Sequence, residues 1–113
     1  MSTCDILNST WTTPESILNG WTEEKDVDDN VSNFAKQIRR AVERDQKQTF
    51  SKFDAIRFRK QIVNGWNYWV KVCIEEENSR CLHIKFWLAM GIDAKPVLIS
   101  VIPNKTKNDP INV

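Results

Sequence analysis

Apolar side chains are scattered without a period over residues 1–16, which are rich in Ser and Thr and broken by Pro14. That stretch reads as a flexible leader, and a single domain is expected over 17–113. The short apolar patch ILNGW follows, residues 17–21. From Thr22 the spacing turns helical. Val27, Val31, Phe34, Ala35, Ile38, Ala41 and Val42 recur at threes and fours, which stacks them on one face. Acids gather at the start (Glu23, Glu24, Asp26, Asp28, Asp29) and bases near the end (Lys36, Arg39, Arg40, Arg44), an order that suits the helix dipole. With Thr22 as N-cap, the pattern predicts one helix of about six turns ending near Asp45–Lys47.

After the helix the period becomes two. Residues 50–63, FSKFDAIRFRKQIV, set Ile56, Phe58 and Ile62 against Arg57, Arg59 and Gln61. Residues 67–74 line up Tyr68, Val70, Val72 and Ile74. Residues 81–87 set Leu82, Ile84 and Phe86 against Cys81, His83 and Lys85, and residues 97–102, VLISVI, form a last strand. Asn64-Gly65 predicts a tight hairpin turn, since both residues accept positive φ. EEENSR (75–80) is a polar turn, LAMGIDAKP (88–96) a loop, and PNKTKNDPINV a polar tail. One helix followed by an antiparallel meander with an apolar face predicts an α+β fold, a curled sheet of four to five strands wrapped on the helix.

A length of 113 residues fits one domain, and 41% hydrophobic with 27% charged residues is ordinary for a globular protein. A net charge of +1 gives no electrostatic footprint for nucleic acid or an anionic membrane. No apolar run reaches the ~20 residues that span a bilayer, and MSTCDILNSTW lacks the basic and apolar regions of a secretory signal. Three cysteines, Cys4, Cys73 and Cys81, are an odd number. They favour reduced thiols and a cytoplasmic setting, although Cys73 and Cys81 flank a turn and can face each other across two strands.

Catalytic chemistry is sparse. His83 and Cys81 share a strand face, the proximity that a thiol–imidazole pair needs. They sit in mid-sheet, with no oxyanion donors and no third orienting group in the pattern. One His and scattered Cys lack metal-ligand spacing, and no Gly-rich phosphate loop exists. Neither a cofactor nor a metal is expected, and the chain does not read as an enzyme.

The glycines say more. Gly20 precedes the helix, Gly65 sits at the first hairpin and Gly91 in the loop before the last strand, each flanked by apolar residues: Leu18 and Trp21, Val63 and Trp66, Met90 and Ile92. In a meander the first and third connections share one end of the sheet, and the segment entering the helix can lie there too. A row of exposed apolar loops is a binding signature.

Gln61-Ile62-Val63-Asn64-Gly65 resembles the Gln-x-Val-x-Gly hairpin of cystatins, reversible inhibitors of papain-like cysteine proteases. Asn67-Tyr68-x-Val70-Lys71-Val72 continues the family's strand pattern. Lys95-Pro96 and Asn104-Lys105-x-Lys107-x-Asp109 are similar to the stefins, cytosolic cystatins without disulfides or signal peptide. The likeness spans roughly residues 17–110.

The resemblance implies a monomer that plugs the protease cleft with three segments: the N-terminal one around Leu18 and Gly20, the hairpin Gln61, Ile62, Val63, Asn64 and Gly65, and the second loop at Met90 and Gly91. Asn19, Asn64 and Met90-Gly91 depart from the usual stefin residues. They keep open a second reading, a cystatin-fold interaction or structural protein without inhibition. The short apolar hairpin also predicts a domain-swapped dimer, seen as a second peak in size exclusion after gentle heating.

Overall fold

The computed structural model describes residues 20–113. The expected leader 1–16, its boundary with the domain, and Leu18 lie outside the described residues. The elements run β1 (Lys25–Asp26), α1 (Asp29–Gln46), β2 (Asp54–Val63), β3 (Gly65–Cys73), β4 (Cys81–Leu88) and β5 (Val97–Lys105), with a short 3-10 turn at Glu76–Asn78. The five strands pair in chain order, all antiparallel, and the sheet curls around α1.

The helix begins later than its periodicity predicts. Asp28, not Thr22, is the N-cap, and its carboxylate accepts from the Val31 amide at 2.9 Å. Thr22 to Val27 instead run along the sheet edge. Thr22 N donates to Lys60 O at 2.9 Å, and Lys25 and Asp26 sit opposite Phe58 and Arg57. Two salt bridges favour the strand, because Arg57 reaches both Glu24 (3.1 Å) and Asp26 (2.6 Å) across the pair. A helical turn there would forgo both. The helix ends at Lys47 in the left-handed conformation, with Lys47 N donating to Arg44 O and Gln48 N to Glu43 O.

Val31, Ala35, Ile38 and Val42 bury the inner stripe of α1 against Phe58, Tyr68, Val70, Val72, Leu82, Ile84, Phe86 and Leu88. Phe34, Tyr68 and Phe86 form an aromatic cluster with ring centres 5.0–6.2 Å apart. The period-two reading of the inner face therefore holds, although β2 starts at Asp54 and carries a bulge between Ala55 and Arg57 that takes Ile56 out of register.

The outer face is not the solvated one that the alternation suggests. Lys71, Cys73, Cys81 and His83 are all buried, and so is Ile111 of the tail. The tail is a strap rather than a polar end. Lys71 Nζ donates to Lys107 O (2.7 Å) and to Asp109 O. Arg59 donates to Ile111 O (2.9 Å) and Thr22 O (2.7 Å), while Ile111 N donates to Glu24 (2.9 Å).

Cys73 and Cys81, directly opposed in the β3–β4 register, are joined by a disulfide. The expectation of reduced thiols is corrected here, and with it the absence of a disulfide in this chain that the likeness to stefins implied. Opposed positions in a tight register bring two buried sulfurs together whatever the parity of the cysteine count. The bridge also removes Cys81 as a nucleophile for His83. The double substitution Cys73→Ser/Cys81→Ser closes no loop and is expected to cost about 2–3 kcal/mol by the loop-entropy account, measured by urea unfolding.

His83 sits under the strap with Nε2 lacking any hydrogen-bond partner among the described residues. Burial, then the charges of Lys71 and Lys105, push its imidazole down to about 4, with Glu24 and Asp109 opposing. The unfolded chain binds a proton near the usual value of 6.5, so the folded state loses stability as pH falls from about 6.5 to about 4 and no further from this group below that. The slope is about 1.4 kcal/mol per pH unit inside the window. Urea titrations at stepped pH should show it in the native chain and not in His83→Phe.

Candidate functional site

At one end of the sheet three segments lie side by side. The first is Gly20-Trp21-Thr22. Gly20 takes φ +78°, and a Cβ there would lie 3.7 Å from Gln61 Cγ. Trp21 bridges to Gln61, and Lys60 N donates to Thr22 Oγ1 at 3.1 Å. The Trp21 ring is buried on the outer face, where Lys85 Nζ lies between it (5.9 Å) and Trp69 (5.8 Å), holding the segment to β3 and β4.

The second segment is the β2–β3 hairpin. Its tip is tighter than a two-residue turn. Val63 pairs with Gly65, Ile62 with Trp66 and Gln61 with Asn67, which leaves Asn64 alone at the apex. Only Gly65 takes positive φ, at +106°, so Asn64 does not supply the left-handed residue expected of it. The apex is instead tied from the neighbouring strand: Trp87 Nε1 donates to Asn64 O at 3.1 Å. Gln61 is held by Asn67, whose amide donates to Gln61 Oε1 at 3.0 Å. Trp66 packs partly buried on the core side, while Ile62 and Val63 project, 74% and 43% exposed.

The third segment is the β4–β5 loop, which carries Met90, Gly91 and Ile92. Met90 is 67% exposed and Ile92 fully so. Gly91 takes φ +132° with open space around it. The loop's base touches the first hairpin, because a Cβ on Gly65 would meet Leu88 O at 2.4 Å and Ala89 Cα at 3.2 Å.

The structure therefore brings Gly20, Gln61, Ile62, Val63, Asn64, Gly65, Met90 and Gly91 to one edge. What sequence reasoning missed is the clamp beneath it, Trp87 on Asn64 and the Gly65–Leu88 approach. The signal was present in Trp87, an outer-face aromatic beside a loop. The edge carries no charged side chain among those eight residues, and its chemistry is apolar contact plus backbone polar groups and the side-chain amides of Gln61 and Asn64. Among the described residues no group of His, Cys, Asp or Glu is placed to hold a metal ion, and no helix is long and apolar enough to cross a membrane.

Residues 20–94 match the family of the Cystatin domain. The chain is similar to bovine (Bos taurus) Stefin-C, 31% identical over 93 residues that cover 81% of this chain and 90% of the relative. It is also similar to Leukocyte cysteine proteinase inhibitor 1 of Sus scrofa, 30% identical with 84% and 91% covered. Cystatin-A of Felis catus is 28% identical with 82% and 94% covered.

Proposed function

We propose, from the premise that this chain belongs to the cystatin family, that it is a reversible, competitive inhibitor of papain-like cysteine proteases of the cathepsin type. Family members inhibit cysteine proteases rather than act as enzymes. The observation that carries it is the apolar edge, where Gly20, the Gln61–Gly65 hairpin and the Met90-Gly91 loop stand in a row with Ile62, Val63 and Met90 projecting. Such an edge fits a narrow cleft. The hairpin would cover the catalytic cysteine, the segment with Leu18 and Gly20 one side of it, and the second loop the other.

The hairpin is clamped at Asn64 and Gly65 before any partner arrives, so little conformational entropy is lost on docking. Its apex offers an exposed Asn64 side chain on a turn held from the neighbouring strand by Trp87, and occlusion without cleavage is the expected mode. The proposed setting is the cytoplasm, by likeness to the stefins. The Cys73–Cys81 disulfide takes away the separate argument from reduced thiols. The protein acts as a monomer, with no nucleic acid or membrane partner and with a domain-swapped dimer accessible through the β2–β3 hairpin.

Steady-state assays of papain and a cathepsin against a small peptide substrate test this reading. Competitive inhibition with the inhibitor recovered intact supports it. No inhibition at micromolar concentration would leave a cystatin-fold interaction protein instead.

A further inference from the structure

A cavity of about 300 Å³ opens beneath the apolar edge, between the start of α1 and the inner face of β2, β3 and β4. Its walls are Phe34, Phe58, Trp66 and Leu88, with Tyr68 at its floor. The Tyr68 ring is packed between Phe34, Phe58 and Phe86, which leaves its hydroxyl edge to the cavity. The residue as a whole is 93% buried, at 7% exposure, yet its hydroxyl makes no hydrogen bond to another described residue and stays open to solvent at the cavity. Burial, with Asp28 nearby, raises its pKa, so it stays a neutral donor and acceptor.

The rim carries two opposite charges. Asp28 is the N-cap of α1, and Lys60 stands directly across the strand pair from Tyr68 with no ion pair among the described residues. An anionic ligand would meet Asp28 and a cationic one would meet Lys60, so the cavity favours neither sign. Aromatic walls, one solvent-facing hydroxyl and a rim without net charge define one ligand chemistry.

We propose that this cavity binds a small neutral aromatic molecule with a single hydrogen-bonding group, of the phenol or indole class, with its ring against Phe34 and Trp66 and its polar atom on the Tyr68 hydroxyl. Because Trp66 and Leu88 are also the bases of the two loops at the edge, the bound molecule would sit where both loops are anchored. The inference does not depend on protease inhibition.

The test is a heteronuclear NMR titration of the full chain with p-cresol, with benzoate and benzylamine as charged probes of similar size. The expected result is saturable shifts at the Trp66 indole N–H and the Leu88 methyls, with a Kd on the order of 1 mM for so small a ligand, and weaker binding of both charged probes. Tyr68→Phe, with fold checked by its own spectrum, should weaken p-cresol about fivefold, the worth of one hydrogen bond. Asn30→Trp, at an exposed position on the rim, should block entry and abolish the shifts. Absence of saturable shifts, shifts centred elsewhere, binding of p-cresol to Tyr68→Phe at native strength, or tighter binding of a charged probe would each overturn the proposal.

Discussion

Replacing Gly65 by alanine is expected to raise the inhibition constant against papain by about one to two orders of magnitude, the equivalent of about 1.4–2.8 kcal/mol. The added methyl has nowhere to go. It would lie 2.4 Å from Leu88 O, 3.1 Å from Trp87 Nε1 and 3.2 Å from Ala89 Cα, two of the three being backbone atoms. Gly65 also holds φ +106°, a conformation that costs a side-chain-bearing residue about 1–3 kcal/mol. Relief requires the hairpin to swing away from the second loop and to give up the Trp87–Asn64 bond, and the three segments no longer lie in one row.

Gly91→Ala is the control. Gly91 has a comparably unusual φ, +132°, but no atom within 4 Å of a built Cβ. It should strain its own loop and leave the hairpin in place, with a smaller loss of inhibition. Equal losses from the two substitutions would show that backbone strain alone, and not the approach of hairpin to loop, sets the edge.

The second large effect is on stability. Lys71→Ala is expected to cost about 3 kcal/mol or more in urea unfolding, while inhibition by the folded protein persists. Lys71 is 1% exposed, and its ammonium donates to the carbonyls of Lys107 and Asp109. Burial lowers its pKa, with Glu24 and Asp109 opposing that shift. Removing the donor leaves two strap carbonyls without it, at about 1–3 kcal/mol for each buried group left unsatisfied. The strap should then loosen, and limited trypsin digestion should cut after Lys105 or Lys107 sooner than in the native chain. A variant as stable and as resistant as the native protein would show that the tail is held by Ile111 and Arg59 alone.

The inner architecture was legible because one periodicity dominates each element. Val31, Ala35, Ile38 and Val42 can be read as a stripe from spacing, and Tyr68, Val70 and Val72 from alternation, since both faces meet the same core. The outer face was not legible by the same rule. Lys71 and His83 alternate with apolar residues and so read as solvated, yet they are covered by a strap from a segment more than twenty residues further along the chain. The aromatic residues on that face, Trp69 and Trp87, with Trp21 packed beside them, were a hint of cover, since a solvated strand face rarely needs so many.

The helix start was misplaced for a related reason. Acidic residues suit a first helical turn, but Glu24 and Asp26 have a better partner in Arg57, which only the tertiary pairing reveals. Asn64-Gly65 signalled the hairpin correctly and its turn type incorrectly, because Trp87 holds the apex from outside. For the candidate site, the order of glycines along a meander was enough to place three segments at one end. The closeness of Gly65 to Leu88 and Ala89 needed coordinates.

An edge that fills a protease cleft by shape needs no chemistry at the catalytic thiol. Calorimetric titration of the protein into papain, with its catalytic cysteine free in one sample and capped by a methylthio group in another, measures this most directly. Saturable binding to both forms at one-to-one stoichiometry, weakened by Gly65→Ala in each, is the predicted result. Absence of binding to either form, or binding that Gly65→Ala leaves untouched, would contradict it.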